Sequence, residues 1–489
     1  AFLHRLLTEI SKRGVIDVLR KGIKHGPAAF ELFYGTPTPG NTNAARLYQQ
    51  NIFSVTRQLK YSLSDTELAL DFAIFINGLP VATFELKNSF TKQTVSDAIT
   101  QYKEDRNPRE LLFALGRCAV HFAVDDQEVW MCTHLRGKAS WFLPFNKGYN
   151  DGAGNPPNPD GMATDYLWKE TLLKNNLTAI LENYAQLVEE ETEDGKKRQR
   201  QVFPRYHQLV VVRNLLADVA ARGVGHRYLI QHSAGSGKSN SITWLAHQLV
   251  ELKISGQSAF DSVIVITDRK VLDKQIRENI RSFAQVAAVV GAVTQGSSQL
   301  KSYIEGGKRI IISTVQKFPM ILETLGNEHR GRKFAVIIDE AHSSQGGRTA
   351  AALNVALSDI EEEDEETTED KINRFMEARK MLGNASYFAF TATPKNKTLE
   401  LFGEAQGDGS FKAFHSYTMK QAIQEGFILD VLKHYTPVDS FYQLVKSVED
   451  DPQFDVKKAM GKLRRYVASP DDAGATKAQI MVDHFLEQV

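Results

Sequence analysis

The sequence predicts an α/β protein built around a parallel sheet, and three observations carry that expectation. Near-continuous apolar runs at 262–267, 309–314, 334–339 and 387–391 alternate with helical patterns between Val202 and about Phe402. Strands buried on both faces by crossover helices read this way. The apolar segment Tyr228-Leu229-Ile230 leads into Gln231-His232-Ser233-Ala234-Gly235-Ser236-Gly237-Lys238-Ser239, then into a helix with Ile242, Leu245 and Leu249 on one face. That is the strand–loop–helix setting of a phosphate-binding loop. Upstream, two apolar segments between residues 68 and 87 flank Asn77-Gly78, a strong hairpin signal.

Composition narrows the class. At 489 residues the chain should hold about two to four domains, each with its own core. Hydrophobic content of 42% and charged content of 24% are those of an ordinary soluble protein. No apolar run approaches the roughly 18–20 residues needed to span a bilayer, so a cytoplasmic protein without a membrane partner is expected. Cys118 and Cys132 lack ligand spacing and read as reduced core residues on paired strands, 119–124 and 129–131. With 59 basic and 59 acidic side chains, a nucleic acid would have to be held by local basic patches rather than by global charge. Lys196-Lys197-Arg198 and Lys462-Leu463-Arg464-Arg465 could serve, or be solvated faces.

In chain order, a helix is expected at 2–19, the hairpin at 68–87 and a helix at 96–106. An Asn-, Gly- and Pro-rich loop at 145–161 is too long for a simple connection and reads as a docked surface loop. A helix follows at 165–190, then a charged linker at 189–201. Residues 202–402 form the parallel-sheet unit, interrupted at 359–370 by an acidic run that reads as a solvated loop. A further unit at 403–489, with helices at 420–425 and 477–487, is short for a complete lobe.

The loop at 231–239 is suited to a nucleoside triphosphate. Gly235 and Gly237 let backbone N–H groups close around phosphates, Lys238 reaches the β/γ oxygens and the Ser239 hydroxyl holds Mg²⁺. Ser233, Ala234 and Ser236 complete the nucleotide-contacting set, and His232 stands where the pattern usually has its first glycine. Asp339-Glu340-Ala341-His342 leaves the apolar strand Phe334-Ala335-Val336-Ile337-Ile338, where open α/β sheets bind ligands. Asp339 can share the Mg²⁺ with Ser239, and Glu340 can polarise the attacking water. Thr267-Asp268-Arg269 with Leu272 and Gln275, Ser313-Thr314-Val315-Gln316-Lys317, and Thr391-Ala392-Thr393-Pro394 also follow strands directly. Singly, such hydroxyl residues cap the next helix; in this order they form a set.

The hairpin carries a second chemistry. Glu85 and Lys87 share one face of its second strand, with Phe84 and Leu86 on the other. A plain Asn77-Gly78 turn would set Asp71 across from Phe84, leaving Asp71 and Glu85 on opposite faces. One bulge or a three-residue loop puts both carboxylates on one face, and that register is expected. The pair would then hold a divalent cation through hard oxygen ligands, with Lys87 stabilising phosphate charge or placing the water. The same Glu-x-Lys spacing at Glu251-Leu252-Lys253 and Glu369-Asp370-Lys371 has no acidic partner; the bland reading of the Glu85 copy is an ion pair at a strand edge.

Residues 202–402 resemble the first motor lobe of superfamily 2 helicases and translocases, in which the missing first glycine of the phosphate loop is typical. The resemblance implies that Thr391 and Thr393, with His342, link nucleotide state to DNA, and that Thr267 and Thr314 lie along the nucleic-acid backbone. Arg205-Tyr206-His207-Gln208 resembles the adenine-reading segment of these motors, making Gln208 the adenine contact. The hairpin resembles the Asp…Glu-x-Lys core of restriction-type nucleases, and Ala98-Ile99-Thr100-Gln101-Tyr102 the helix completing the site in their motor-coupled branch. That branch has a tyrosine four positions after the glutamine; Asp105 stands there, so Gln101 alone is carried over.

Taken in order, these motifs resemble the R (restriction) subunit of type I restriction–modification enzymes. The resemblance implies a restriction-nuclease-like α/β domain at 1–188, a RecA-like motor lobe at 202–402 and the start of a second lobe at 403–489. It further implies ATP-driven translocation of duplex DNA, Mg²⁺-dependent double-strand cleavage away from an unmethylated recognition site, and methyltransferase (M) and specificity (S) subunits as partners. The later motor motifs do not appear before Val489, so the chain reads as part of a longer protein that alone binds ATP weakly and does not translocate. Rival readings are a stand-alone helicase–nuclease and a nucleotide-gated DNA clamp with a structural hairpin; an RNA helicase leaves the upstream carboxylates without a task.

Overall fold

Two sheets organise the chain. The computed structural model describes residues 1–38, 40–191, 195–267, 280, 290–293, 297–327, 329, 331–339 and 382–430. Ala1–Phe427 forms one unit and Ile428–Val489 another.

The first sheet has six strands in chain order: Phe53–Lys60, Ala69–Ile76, Leu79–Leu86, Val120–Val124, Val129–Cys132 and Leu143–Pro144. Neighbours run antiparallel except Leu79–Leu86 beside Val120–Val124, which are parallel. One face packs on helix Phe2–Lys21 through Val15, Ile16, Val81, Phe84 and Phe122. The other packs on helix Val95–Glu104 through Leu70, Val95, Ala98, Tyr102 and Ala123. Burial on both sides is why Val81–Glu85 is enclosed despite carrying a glutamate. Both cysteines are buried free thiols, Cys132 on the strand antiparallel to Val120–Val124.

Phe84 ties three neighbouring strands together, stacking on Phe72 at 4.3 Å and on Phe122 at 5.4 Å between ring centroids. Phe84→Ala is expected to cost about 3–5 kcal/mol, the range for truncating a buried aromatic side chain. Urea unfolding of the chain checks it, and a loss under about 1 kcal/mol would show that this stack contributes little.

The hairpin carries the expected odd register. Phe72 faces Phe84 and Ile74 faces Ala82, but beyond a shift at Ile74/Phe75 the partner of Phe75 is Pro80. Val81 is thus an extra residue, a bulge above the tight Asn77-Gly78 turn (φ 51° and 82°). Below the bulge the ladder ends at Phe72 facing Phe84, and the next residue, Asp71, turns its carboxylate to the Leu86 N–H, within electrostatic reach of Glu85.

The second sheet has seven strands, all parallel, in the order 290–292, 310–314, 262–267, 334–338, 385–391, 227–232 and 415–417. The apolar runs read from the sequence are its central strands, buried along their length. Helices Tyr206–Arg222 and Lys238–Glu251 pack against it.

Three boundaries differ from expectation. The linker at 189–201 belongs to a hairpin, Gln186–Glu191 against Lys197–Val202, whose turn end sets Lys197 against Glu191 and Arg198 against Glu190, with Arg200 reaching Glu190 diagonally. Opposite charges across the pair supply the affinity that apolar alternation usually signals. The helix expected at 165–190 is a π-helical turn at Leu167–Thr171 followed by a helix at Lys174–Asn183. The start of a second lobe at 403 is also corrected: His415–Tyr417 is an edge strand of the first lobe's own sheet, beside Arg227–His232, and the unit runs on to Phe427. The acidic run, Lys462–Arg465 and the helix at 477–487 lie outside the described residues.

Candidate functional site

At the first site, Asp71, Glu85, Lys87 and Gln101 come together. Asp71 Oδ2 accepts from the Leu86 backbone N–H at 2.7 Å, which fixes its carboxylate across the strand pair. Gln58 Nε2 lies 3.4 Å from Asp71 Oδ1, on a residue held at φ 47° within the edge strand. Lys87 Nζ donates to Gln101 Oε1 at 2.7 Å, joining hairpin to helix Val95–Glu104. Asp105, in the position of the expected tyrosine, caps that helix.

Glu85 is fully buried. Its Oε1 accepts from Arg106 Nε at 2.6 Å, while Oε2 is buried with no hydrogen-bond partner. Burial pushes its carboxyl up to about 7, against the opposing pull of Arg106. Sequence reasoning missed Arg106: it lies beyond the helix end, and only the fold brings it to the hairpin. Among the described residues no three His, Cys, Asp or Glu side chains converge on a metal position. Two carboxylates with one uncommitted buried oxygen still suit Mg²⁺, which commonly takes one or two carboxylates and keeps several waters.

At the second site, strand Arg227–His232 delivers the phosphate loop and Lys238 opens the next helix. Gly235 and Gly237 have φ of 71° and 75°, a region that glycine enters freely. A Cβ on Gly237 would lie 2.4 Å from Gln208 Nε2. Lys238 Nζ donates back to His232 O at 3.2 Å and lies 3.5 Å from Ser233 O, spanning its own loop.

Segment 205–208 cradles that loop. Arg205 Nη2 donates to Gly235 O at 2.8 Å, His207 Nε2 to Ser236 O at 3.0 Å, and Gln208 Nε2 to Ser236 O and Gly237 O, each at 3.0 Å. Gln208 Oε1 accepts from the Arg205 N–H. Both ends of the Gln208 amide are thus engaged with protein, so an adenine contact would require it to exchange partners. His232 replaces glycine because its ring turns under the loop, bonding to His415 at 2.9 Å and meeting Phe390 edge-on. Burial drives both His207 and His232 well below the usual imidazole range, so both are neutral near pH 7.

Asp339, nearly buried, follows strand Phe334–Ile338 and donates its backbone N–H to Ile266 O. Thr267, Thr314 and Thr391 end their strands at the same carboxyl edge of the parallel sheet, with Thr393 exposed two residues beyond. Glu340 and His342 lie outside the described residues.

The loop at 145–161 gains a place it lacked in the sequence. A tight turn at its tip, with Asn150 and Asp151 at φ 49° and 60°, docks on helix Met419–Gln424. Thr418 Oγ1 donates to Asp151 O, Lys420 Nζ to Asn150 O, and the Ala153 N–H to Gln424 Oε1. The same helix region carries Glu425, which accepts from the Tyr417 hydroxyl; Tyr417 stacks on His207 at 3.9 Å. The loop following the six-stranded sheet therefore touches the structure that backs the phosphate loop.

A seven-stranded parallel sheet carrying a phosphate-binding loop defines the class: a helicase-like ATPase lobe, here in one chain with a mixed six-stranded sheet. Residues 207–454 match the SWI2/SNF2 ATPase family, and residues 36–140 match the type I restriction enzyme R protein N terminus. The chain belongs to the SWI2/SNF2 ATPase family, and its upstream part is similar to the N terminus of type I restriction enzyme R proteins. It is 24% identical to a type I restriction enzyme endonuclease subunit of Staphylococcus aureus (strain MSSA476), covering 82% of this chain and 38% of the relative. Identity is 25% with one of Staphylococcus saprophyticus, over 78% of this chain and 36% of the relative, and 23% with the HindI endonuclease subunit of Haemophilus influenzae, over 74% and 32%. The chain thus spans less than two-fifths of the length of these curated relatives. No described helix is long and apolar enough to cross a membrane.

Proposed function

We propose that this chain carries the nuclease and first motor lobe of a type I restriction R subunit, coupling ATP-driven translocation of duplex DNA to double-strand cleavage away from an unmethylated site. The observation that supports it most is the cluster itself: Asp71, bonded to the Leu86 N–H, within electrostatic reach of Glu85, with Lys87 bonded to Gln101. A structural hairpin has no need of two carboxylates on one face with a buried oxygen left over.

In this reading Asp71 and Glu85 hold a divalent cation, which supplies Lewis-acid charge for phosphodiester hydrolysis when bound. Lys87, oriented by Gln101, faces the scissile phosphate and stabilises its developing charge. At the motor site the N–H groups of 233–239 and Lys238 bind the ATP phosphates, Gln208 reads adenine, and Ser239 and Asp339 hold Mg²⁺. Glu340 orients the attacking water. Thr267, Thr314, His342, Thr391 and Thr393 carry nucleotide state to the DNA strand. M and S subunits supply the recognition sequence, and the assembly acts in the cytoplasm.

The test is cleavage of unmethylated and methylated plasmid by the complete subunit with its M and S partners, with and without ATP and Mg²⁺. Cutting that requires both cofactors and spares methylated plasmid is expected. Equal cutting without M and S would favour a stand-alone helicase–nuclease.

A further inference from the structure

We propose that Arg106 is a positioning residue for the nuclease carboxylates: it grips one oxygen of Glu85 so that the other is presented to the cation. The inference rests on the nuclease reading of the hairpin and adds a residue that neither the motif nor its spacing contains.

Three contacts carry it. The Arg106 guanidinium donates through Nε to Glu85 Oε1 at 2.6 Å, through Nη2 to the Ala69 backbone oxygen at 2.9 Å, and through Nη1 to the Tyr61 hydroxyl at 3.3 Å. Ala69 opens the strand that carries Asp71, and Tyr61 directly follows the edge strand Phe53–Lys60. The guanidinium is therefore anchored by groups other than Glu85 and is almost fully buried. A planar donor fork fixed at two further points cannot swing away as a lysine could. With Oε1 committed, Glu85 has one rotamer-locked oxygen left, and Oε2 is the buried atom that lacks a hydrogen-bond partner. Buried carboxylate oxygens are rarely left so, and Asp71 on the neighbouring strand accepts from the N–H of Leu86, the residue after Glu85. Groups bonded to a metal-binding side chain commonly set its orientation, and their removal lowers metal affinity about 10–100-fold.

The same contact could instead be a closed ion pair in which Arg106 takes the place of a cation, and the two ideas predict opposite signs. Mn²⁺ binding to the nucleotide-free full chain is read by electron paramagnetic resonance of the free ion. The nuclease-site share is the difference between wild type and Glu85→Gln. Positioning predicts that Arg106→Gln weakens that share roughly tenfold or more, and that Arg106→Lys falls between the two. Unchanged or tighter binding in the Gln variant, or wild-type binding in the Lys variant, overturns the proposal. Should the Gln variant fail to show a cooperative thermal transition, the Lys variant alone decides, because a purely structural role leaves its Mn²⁺ affinity at the wild-type value. Identical Mn²⁺ binding by wild type and Glu85→Gln is a separate failure, that of the nuclease reading itself.

Discussion

Lys238→Ala in the assembled enzyme is expected to lower DNA-stimulated ATP hydrolysis about 10²–10³-fold, the loss typical of removing one preorganised donor from developing charge. The resting loop shows why this amine matters. Lys238 Nζ reaches back to His232 O and Ser233 O, so it already points across the mouth of its own loop. A triphosphate replaces those neutral carbonyls with anionic oxygens, a stronger acceptor for the same donor. The fold should survive: Lys238 sits at the start of helix Lys238–Glu251, alanine is a good helix former there, and Arg205, His207 and Gln208 still hold Gly235, Ser236 and Gly237. Thermal unfolding near wild type alongside lost hydrolysis is the expected pattern. Plasmid cutting should fall with hydrolysis, because cleavage far from the recognition site needs DNA to be moved. Hydrolysis within threefold of wild type would remove the loop from the mechanism.

What could be read from the sequence divides along physical lines. The central strands of the parallel sheet, such as Ser262–Thr267 and Phe334–Ile338, are buried on both faces, and burial writes itself as an apolar run. The phosphate loop was legible because its glycines and lysine act through local backbone geometry. An odd register, from one bulge or a three-residue loop, was legible from chemistry because it serves two carboxylates; that it is a bulge, at Val81, was not. The hairpin Gln186–Glu191 with Lys197–Val202 reads as a linker because charged residues fill it where strands usually alternate apolar and polar, as in Arg200 Nη2 to Glu190 at 2.6 Å. Edge strand His415–Tyr417 is three residues long, below any periodicity. Arg106 and the docking of Asn150 and Asp151 on helix Met419–Gln424 depend on contacts between segments distant in sequence, the last across about 270 residues, and no local pattern encodes them.

Glu85→Gln is expected to reduce double-strand cleavage roughly 10²–10³-fold while leaving ATP hydrolysis within about twofold of wild type. Glutamine is the informative substitution. Alanine would leave the buried Arg106 guanidinium facing empty space, and breaking a buried ion pair by removing one partner costs about 3–5 kcal/mol. Loss of cutting by Glu85→Ala could then report an unfolded sheet. The amide oxygen of glutamine still accepts from Arg106 Nε, as Glu85 Oε1 does at 2.6 Å, and the volume is unchanged, so the layers around Phe84 and Tyr102 stay packed. What the variant removes is one negative charge and one hard anionic oxygen, the two properties a divalent cation requires. ATP hydrolysis is spared because the carboxylate pair is on the six-stranded sheet, whereas the phosphate loop and Asp339 belong to the seven-stranded one. Hydrolysis that continues without cutting separates motor from nuclease within one chain. Cutting at the wild-type rate would make the bulged hairpin a structural feature and place the nuclease elsewhere.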